Sequence, residues 1–320
     1  MIIIFKYQFL LDIHQSLVKK GLIGRYTILD NQNAIHILEP LLSHKIDNYT
    51  YRQNLRQINS SAISQNPNAI YLLEKNPNII DWVGLSGNEN AIPILEQNID
   101  KIKWDSLSGN RNAIPILEEN IDQIDWEALS GNENAIDLLV ANFDKIDWYK
   151  LSGNPNPKAL DLLVANFDKI NWYKLSGNPN PKALDLLVAN FDKINWYKLS
   201  GNPNPKALDL LVAHFYKIDW YRLSANPNAI HILEANPNNI NWAKLSLNPN
   251  AMPLLEKYID KLDWYHLSRN PNLFEIDYLA MSKERTKLIE TELMIKALHP
   301  TRVRDWLDYH IANGGDLSDF

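Results

Sequence analysis

The sequence predicts an all-α protein, an elongated α-solenoid of short helix-turn-helix repeats of 22–24 residues with N- and C-terminal caps. Three observations carry this expectation. Trp82, Trp104, Trp126 and Trp148 stand 22 residues apart, Trp172, Trp196 and Trp220 follow at 24, and Trp242 and Trp264 return to 22. Each interval rewrites one pattern, N-P-N-A-I-x-L-L-E-x-N-x-x-x-I-D-W-x-x-L-S-G. Within it, residues such as Ala69, Ile70, Leu72 and Leu73 fall on one helical stripe. Self-similarity at a fixed period of this length marks stacked units, none of which buries a core alone.

The unit justifies itself element by element. The second Asn of each pair (Asn68, Asn90, Asn112, Asn134) stands where an N-cap belongs, its side chain placed to accept from free backbone N–H groups. Pro93, Pro115 and Pro253 follow within the first turn, where a missing N–H costs little. Asn76, Asn98, Asn120 and Asn142 close this first helix, at a place where Asn tolerates left-handed geometry.

A second short helix starts at the Asp or Asn before each Trp: Asp81, Asp125, Asp147, Asn171, Asn195, Asp219, Asn241 and Asp263, with Lys103 the exception. An aliphatic residue precedes this cap (Ile80, Ile102, Leu262) and a Leu follows four after it (Leu85, Leu107, Leu267), the spacing of a hydrophobic staple. Helices this short are marginal in isolation, so stacking must stabilise them, and Trp reads as a core residue. The first Asn of each pair (Asn31, Asn66, Asn88, Asn110, Asn154, Asn202, Asn270) has two readings. It serves simple turn chemistry, or it forms a ladder in which each side chain bonds the turn of the neighbouring unit.

The longer units insert Pro-Lys after the second Asn, so that "NENAIDLLVAN" at 132 becomes "NPNPKALDLLVAN" at 154. A leucine-rich repeat is the rival fold, because "LSGN" fits L-x-x-L-x-L-x-x-N. That pattern needs an apolar residue five before the Asn, where Asp105 and Glu127 stand.

The expected organisation is an N-terminal cap at 1–30, a degenerate first repeat with an insertion at 31–65, tandem repeats at 66–272 and a helical C-terminal cap at 273–320. In the degenerate unit Ser60 occupies the Trp position. At about 9 Å between packed helix layers, the array would extend on the order of 90 Å.

Composition narrows function mostly by exclusion. The 320 residues are 45% apolar and 22% charged with a net charge of −6, so no global positive field attracts nucleic acid. With no cysteine there is no disulfide, thiolate zinc site or cysteine nucleophile. The eight histidines occupy no fixed repeat position and no H-x-x-x-H spacing, and no glycine-rich phosphate loop occurs. Polar residues repeat along a line instead of converging on a point, so no enzyme activity, catalytic residue, metal or cofactor is expected. The apolar start "MIIIFKYQFLLDIH" lacks a charged leader and a cleavage site, and no stretch reaches a membrane span. A soluble intracellular protein is expected.

Charge and aromatic content vary along the array. The unit from Asn110 to Gly131 carries five acids against Arg111, a net −4, whereas each 24-residue unit carries three bases and two acids, a net +1. In these units Tyr and a base follow Trp directly, which makes Tyr149, Lys150, Tyr173, Lys174, Tyr197, Lys198, Tyr221 and Arg222 the candidate partner-binding residues. Two other readings stand beside this one. The Tyr side chains cover the Trp core while Lys is merely solvated, or the ladder takes a single nucleic-acid strand, for which +1 per unit is weak. Near-identity of exposed residues between Leu151 and Ala213 records duplication, so it does not by itself mark a site.

The units "LSGNENAIPILEQNIDKIKWDSLSGN" and "LSANPNAIHILEANPNNINWAKLSLNPNAM" resemble the tandem repeats common in proteins of giant nucleocytoplasmic DNA viruses. The tail "ALHPTRVRDWLDYHIANGGDLSDF" is similar to the ending of some of those proteins, so the resemblance covers roughly 31–320. It implies ankyrin-like interaction modules: a non-enzymatic protein–protein scaffold or adaptor with a host or viral protein partner, in host cytoplasm or viral factory. A structural component of the virion or factory is the alternative role. The Pro-Lys units and a roughly 13-residue insertion around "DNYTYRQNLRQ" depart from the plain pattern.

Overall fold

The computed structural model describes residues 59–273 apart from Ser268. The expected caps at 1–30 and 273–320 (Leu273 excepted), and 31–58 of the degenerate repeat, lie outside the described residues. Every regular element described is helical, which excludes the leucine-rich reading. The elements repeat in order and contact their sequential neighbours, making a helical repeat solenoid.

The unit has three helical pieces, one more than the sequence predicts. In the unit opened by Asn178 they are a first helix Pro181–Ala189, a 3₁₀ turn Phe191–Lys193 and a second helix Trp196–Ser200. The 3₁₀ turn uses the residues between the closing Asn and the aliphatic pre-cap residue. Its final N–H, that of Ile194, reaches back to Phe191 O at 3.3 Å. Second helices pack on the second helices of adjacent units and against the first helix of the next.

The unit buries Ala183, Leu184, Leu187, Ile194 and Leu199, and the short units opened by Asn66, Asn110, Asn226 and Asn248 bury Leu72, Ile116, Ile232 and Leu254 in place of the residue equivalent to Leu184. Ile80 and Leu262 are partly buried against this core, whereas from Ile102 to Ile240 the pre-cap Ile lies in it with the Leu of the second helix, as the staple spacing predicts. Trp does not. The described tryptophans up to Trp242 are half-buried and pack against the core from its edge. As the first residue of its short helix, Trp stands beside the solvent-facing 3₁₀ turn, and Phe143, Phe167, Phe191 and Phe215 meet Trp148, Trp172, Trp196 and Trp220 edge-on at 5.3–5.5 Å.

Two columns of buried polar side chains fasten unit to unit. The first Asn performs both roles open to it. Asn178 Oδ1 accepts from Asn180 N at 3.0 Å, closing a local turn, while its Nδ2 donates backward to Ser152 O at 3.1 Å and Asn154 O at 2.9 Å. The same double donation recurs from Asn88 to Asn270. Each amide thus satisfies both N–H groups and its oxygen in a site closed to water. The second column is the Ser of "LS". Ser176 Oγ donates to Trp172 O at 2.7 Å and accepts the N–H of Asn195, the next cap, at 2.9 Å.

The caps of the second helix form as predicted. Asp81 Oδ2 accepts from Gly84 N at 3.0 Å and Asn195 Oδ1 from Lys198 N, also at 3.0 Å. Lys103 caps nothing, and Asp105 replaces it by accepting from Ser106 N at 2.8 Å.

Two local expectations are corrected. The second Asn caps the first helix only in the long units, where Asn156, Asn180 and Asn204 accept from Lys158, Lys182 and Lys206 N. In the short units the helix begins after Ala, with no side-chain cap, because the two residues that would form the extra turn are missing. Asn90 instead donates to Pro67 O at 3.0 Å, and Asn112 and Asn134 likewise bond the preceding unit. The closing Asn is not left-handed either: Asn98 has φ −140° and ψ 48°, and its Nδ2 donates to Ile94 O at 2.9 Å. A side-chain donor satisfies the orphan carbonyl that a left-handed cap would otherwise serve.

Candidate interaction face

The candidate residues sit at the second and third positions of successive second helices. Caps fix the backbone of each basic residue: Asp147, Asn171, Asn195, Asp219 and Asn241 accept from the N–H of Lys150, Lys174, Lys198, Arg222 and Lys244. A basic residue therefore starts from the same point in every unit, and its side chain crosses to the unit before. Lys174 Nζ lies 4.6 Å from the Tyr149 ring centroid, Lys198 Nζ 4.6 Å from Tyr173, Arg222 Cζ 4.4 Å from Tyr197, and Lys244 Nζ 4.8 Å from Tyr221. These are cation–π distances, and each pair contributes about 0.5–1 kcal/mol at an exposed site.

The Lys174, Lys198 and Arg222 stems pass Gly153, Gly177 and Gly201 of the preceding unit, where an added Cβ would meet them at 3.7–4.0 Å. Tyr149, Tyr173, Tyr197 and Tyr221 remain 37–45% exposed, enough for a partner to reach. The column is thus Tyr, base, Tyr, base, each base lying on the ring behind it.

At its N-terminal end the same column changes chemistry. Glu127 stands at the Tyr position of its unit, and its Oε1 lies 3.2 Å from Lys150 Nζ. Lys150 is therefore ion-paired within the chain. Among the described residues, no carboxylate comes within ion-pair distance of Lys174, Lys198, Arg222 or Lys244. Arg222 Nε is buried with no hydrogen-bond partner among them.

The structure brings all eight candidate residues into this one column and adds Lys244, which the sequence reading left out. Its signal was present: "WAK" at 242–244 keeps the base while Ala243 replaces Tyr. The inserted lysines run elsewhere. Lys158 and Lys182 pair with Asp137 and Asp161 on the first helix of the preceding unit, at 2.7 and 3.2 Å. A second exposed series also escaped the sequence reading. Val140, Val164, Val188 and Val212 on the first helices stand half-exposed where flanking units carry Glu96, Glu118 and Glu234.

Among the described residues no group of three or more His, Asp and Glu is placed to hold a metal ion. No described helix is long and apolar enough to cross a membrane. No family model, curated protein or solved structure matches the chain.

Proposed function

We propose that this chain is a non-enzymatic interaction scaffold that binds a protein partner along the Tyr–base column, with Tyr149, Tyr173, Tyr197 and Tyr221 as anchors and Lys150, Lys174, Lys198, Arg222 and Lys244 as its charges. The resemblance of the units to giant-virus repeats supports reading it as a viral adaptor acting inside the host cell. One observation supports the site above all: four half-exposed tyrosines in register, each braced on one side by a cation from the next unit. Tyr presents large contact area with few rotatable bonds, and bracing removes part of that remaining freedom before a partner arrives.

The testing experiment is an affinity pull-down from host and infected lysate, with and without nuclease, comparing wild type with a Tyr149→Ala, Tyr173→Ala, Tyr197→Ala, Tyr221→Ala variant. A stoichiometric protein captured by wild type and lost by the variant is the expected result, provided the two unfold at similar denaturant concentrations. Proteins retained equally by both would remove the column from the adaptor role. Enrichment in purified particles with no soluble partner would instead favour a structural component.

A further inference from the structure

The charges around the column are distributed unevenly in a way that specifies a ligand. In the same units Lys145, Lys158, Lys169, Lys182 and Lys193 each have a carboxylate at 2.7–3.6 Å, and of the other lysines outside the column Lys206 and Lys217 have none among the described residues. Among the described residues the column bases, Lys150 excepted, have no carboxylate within ion-pair distance. They form a line of four positive charges, Lys174, Lys198, Arg222 and Lys244, each with one side against a tyrosine ring. The Glu127–Lys150 contact shows what satisfies such a base: a carboxylate delivered from the ring position of the unit before.

Spacing then selects the chain that could deliver several carboxylates at once. Neighbouring packed helices lie about 9 Å apart. A polyproline II segment rises about 3.1 Å per residue with three residues per turn, so residues i and i+3 share a face about 9 Å apart. A β-strand places i and i+3 on opposite faces and so presents the wrong period. Such extended segments favour grooves lined by aromatic rings.

Resting on the proposed protein-binding role of this face, we propose that the column recognises an extended acidic peptide segment in polyproline II form, with a carboxylate at every third residue set against Lys174, Lys198, Arg222 and Lys244. About ten residues span the four charges. Arg222 offers the planar fork that takes a carboxylate through two parallel bonds. Single-stranded nucleic acid is the less suited polyanion, because its bases need open aromatic faces and each of these rings already carries a cation.

The test measures binding of fluorescent peptides to the full chain by anisotropy. The probe is acetyl-EPPEPPEPPE-amide. Its controls are a permuted peptide of the same composition with the four Glu adjacent, and a single-stranded oligonucleotide. The expected result is binding of the spaced peptide at least tenfold tighter than the permuted one, weakened by salt, and weakened at least tenfold more by a Lys174→Gln, Lys198→Gln, Lys244→Gln variant. Gln keeps most of each stem, and Lys206→Gln, outside the column, should leave binding unchanged. Equal binding of both peptides, no binding of either, or tighter binding of the oligonucleotide would overturn the proposal. If the pull-down still yields a tyrosine-dependent partner, such a result removes the acidic ligand alone and leaves the scaffold role standing.

Discussion

The backbone N–H of Asn195 donates to Ser176 Oγ at 2.9 Å, nineteen residues behind it. That hydroxyl also donates to Trp172 O, so its one proton and one lone pair are both committed inside a fully buried site. Ser176→Ala removes the acceptor and leaves the Asn195 N–H buried without a partner, which costs about 1–3 kcal/mol. Because the bond crosses between units, the loss should weaken their coupling as well as lower total stability. Urea unfolding followed by circular dichroism should show a lower midpoint and a broader transition. An unchanged curve would mean that water or a backbone shift replaces the hydroxyl.

Asn178 permits a sharper test, because its amide donates twice and accepts once. Asn178→Asp preserves shape and acceptor but points a carboxylate at two carbonyl oxygens. We expect it to destabilise more than Asn178→Ala at neutral pH, by at least about 1 kcal/mol, since a buried unpaired charge costs more than a missing bond. The charge is disfavoured in the folded state, so the folded carboxyl binds its proton more readily than the unfolded one. Its deficit relative to wild type should therefore shrink as pH falls. Unfolding curves at neutral and acid pH check both the ranking and the sign.

The legibility of the chain follows from where each residue's chemistry is spent. The second-helix caps at Asp81 and Asn195 could be read because a cap acts within four residues of itself. The Ser176 relay could not: serine beside glycine before an Asn reads as a turn, and its partner lies in the next unit. Asn90 misled for a related reason. The side-chain nitrogen makes the inter-unit bond in short and long units alike, and only the longer turn brings a helix N–H to the oxygen, as at Asn156. At the candidate face, the positions of Tyr149 and Lys174 were evident from the period. Their stacking across units was not, since adjacency in sequence suggests the pair Tyr149–Lys150 whereas the structure pairs Tyr149 with Lys174.

The uncapped helix at Lys103 yields a non-additive prediction. Asp105 already accepts from Ser106 N, the amide that a cap would serve. Lys103→Asn should therefore add little alone. Asp105→Ala should cost about 0.5–1 kcal/mol, and the double variant should recover most of that loss through the new cap. A thermal-denaturation double-mutant cycle reads the coupling directly. Strict additivity would show that Asp105 does not perform the work of a cap.

Two glycines at different places in the second helix should respond oppositely to alanine. At Gly84 an added Cβ would lie 2.9 Å from Ser61 O and 3.2 Å from Asp81 Oδ2, so either the first described helix, Ser60–Gln65, or the cap must move. At Gly131, the last residue of the helix Trp126–Gly131, nothing lies within 4 Å. Gly131→Ala should stabilise by about 0.4–1 kcal/mol by restricting the unfolded chain. Gly84→Ala should destabilise by about 1–3 kcal/mol through overpacking. The equivalent of Gly131 in a later unit is already alanine, Ala225, which supports the first sign.

Asp263 makes an acid-dependent contribution to the stability of the array. Burial pushes its carboxyl up, but the backbone N–H of His266, its side chain and its charge together with the Tyr265 backbone outweigh this and hold it below the usual aspartate value. Oδ1 accepts from His266 N at 3.0 Å and lies 3.0 Å from its Nδ1. A carboxyl lowered on folding stabilises the protein above its unfolded value, about 3.9, and that contribution disappears as pH falls through the lower folded value. Asp263→Asn retains an N-cap, as Asn171 and Asn195 do in their units, but removes the titration. At pH 6 the wild type should therefore be the more stable of the two. The difference should close as pH is lowered below about 4, where the wild-type carboxyl takes up its proton. Hydrogen exchange of the last described units, compared between the two proteins across this range, locates the effect. A constant difference from pH 6 to pH 3 would assign the stabilisation to the shape of the cap and not to its charge.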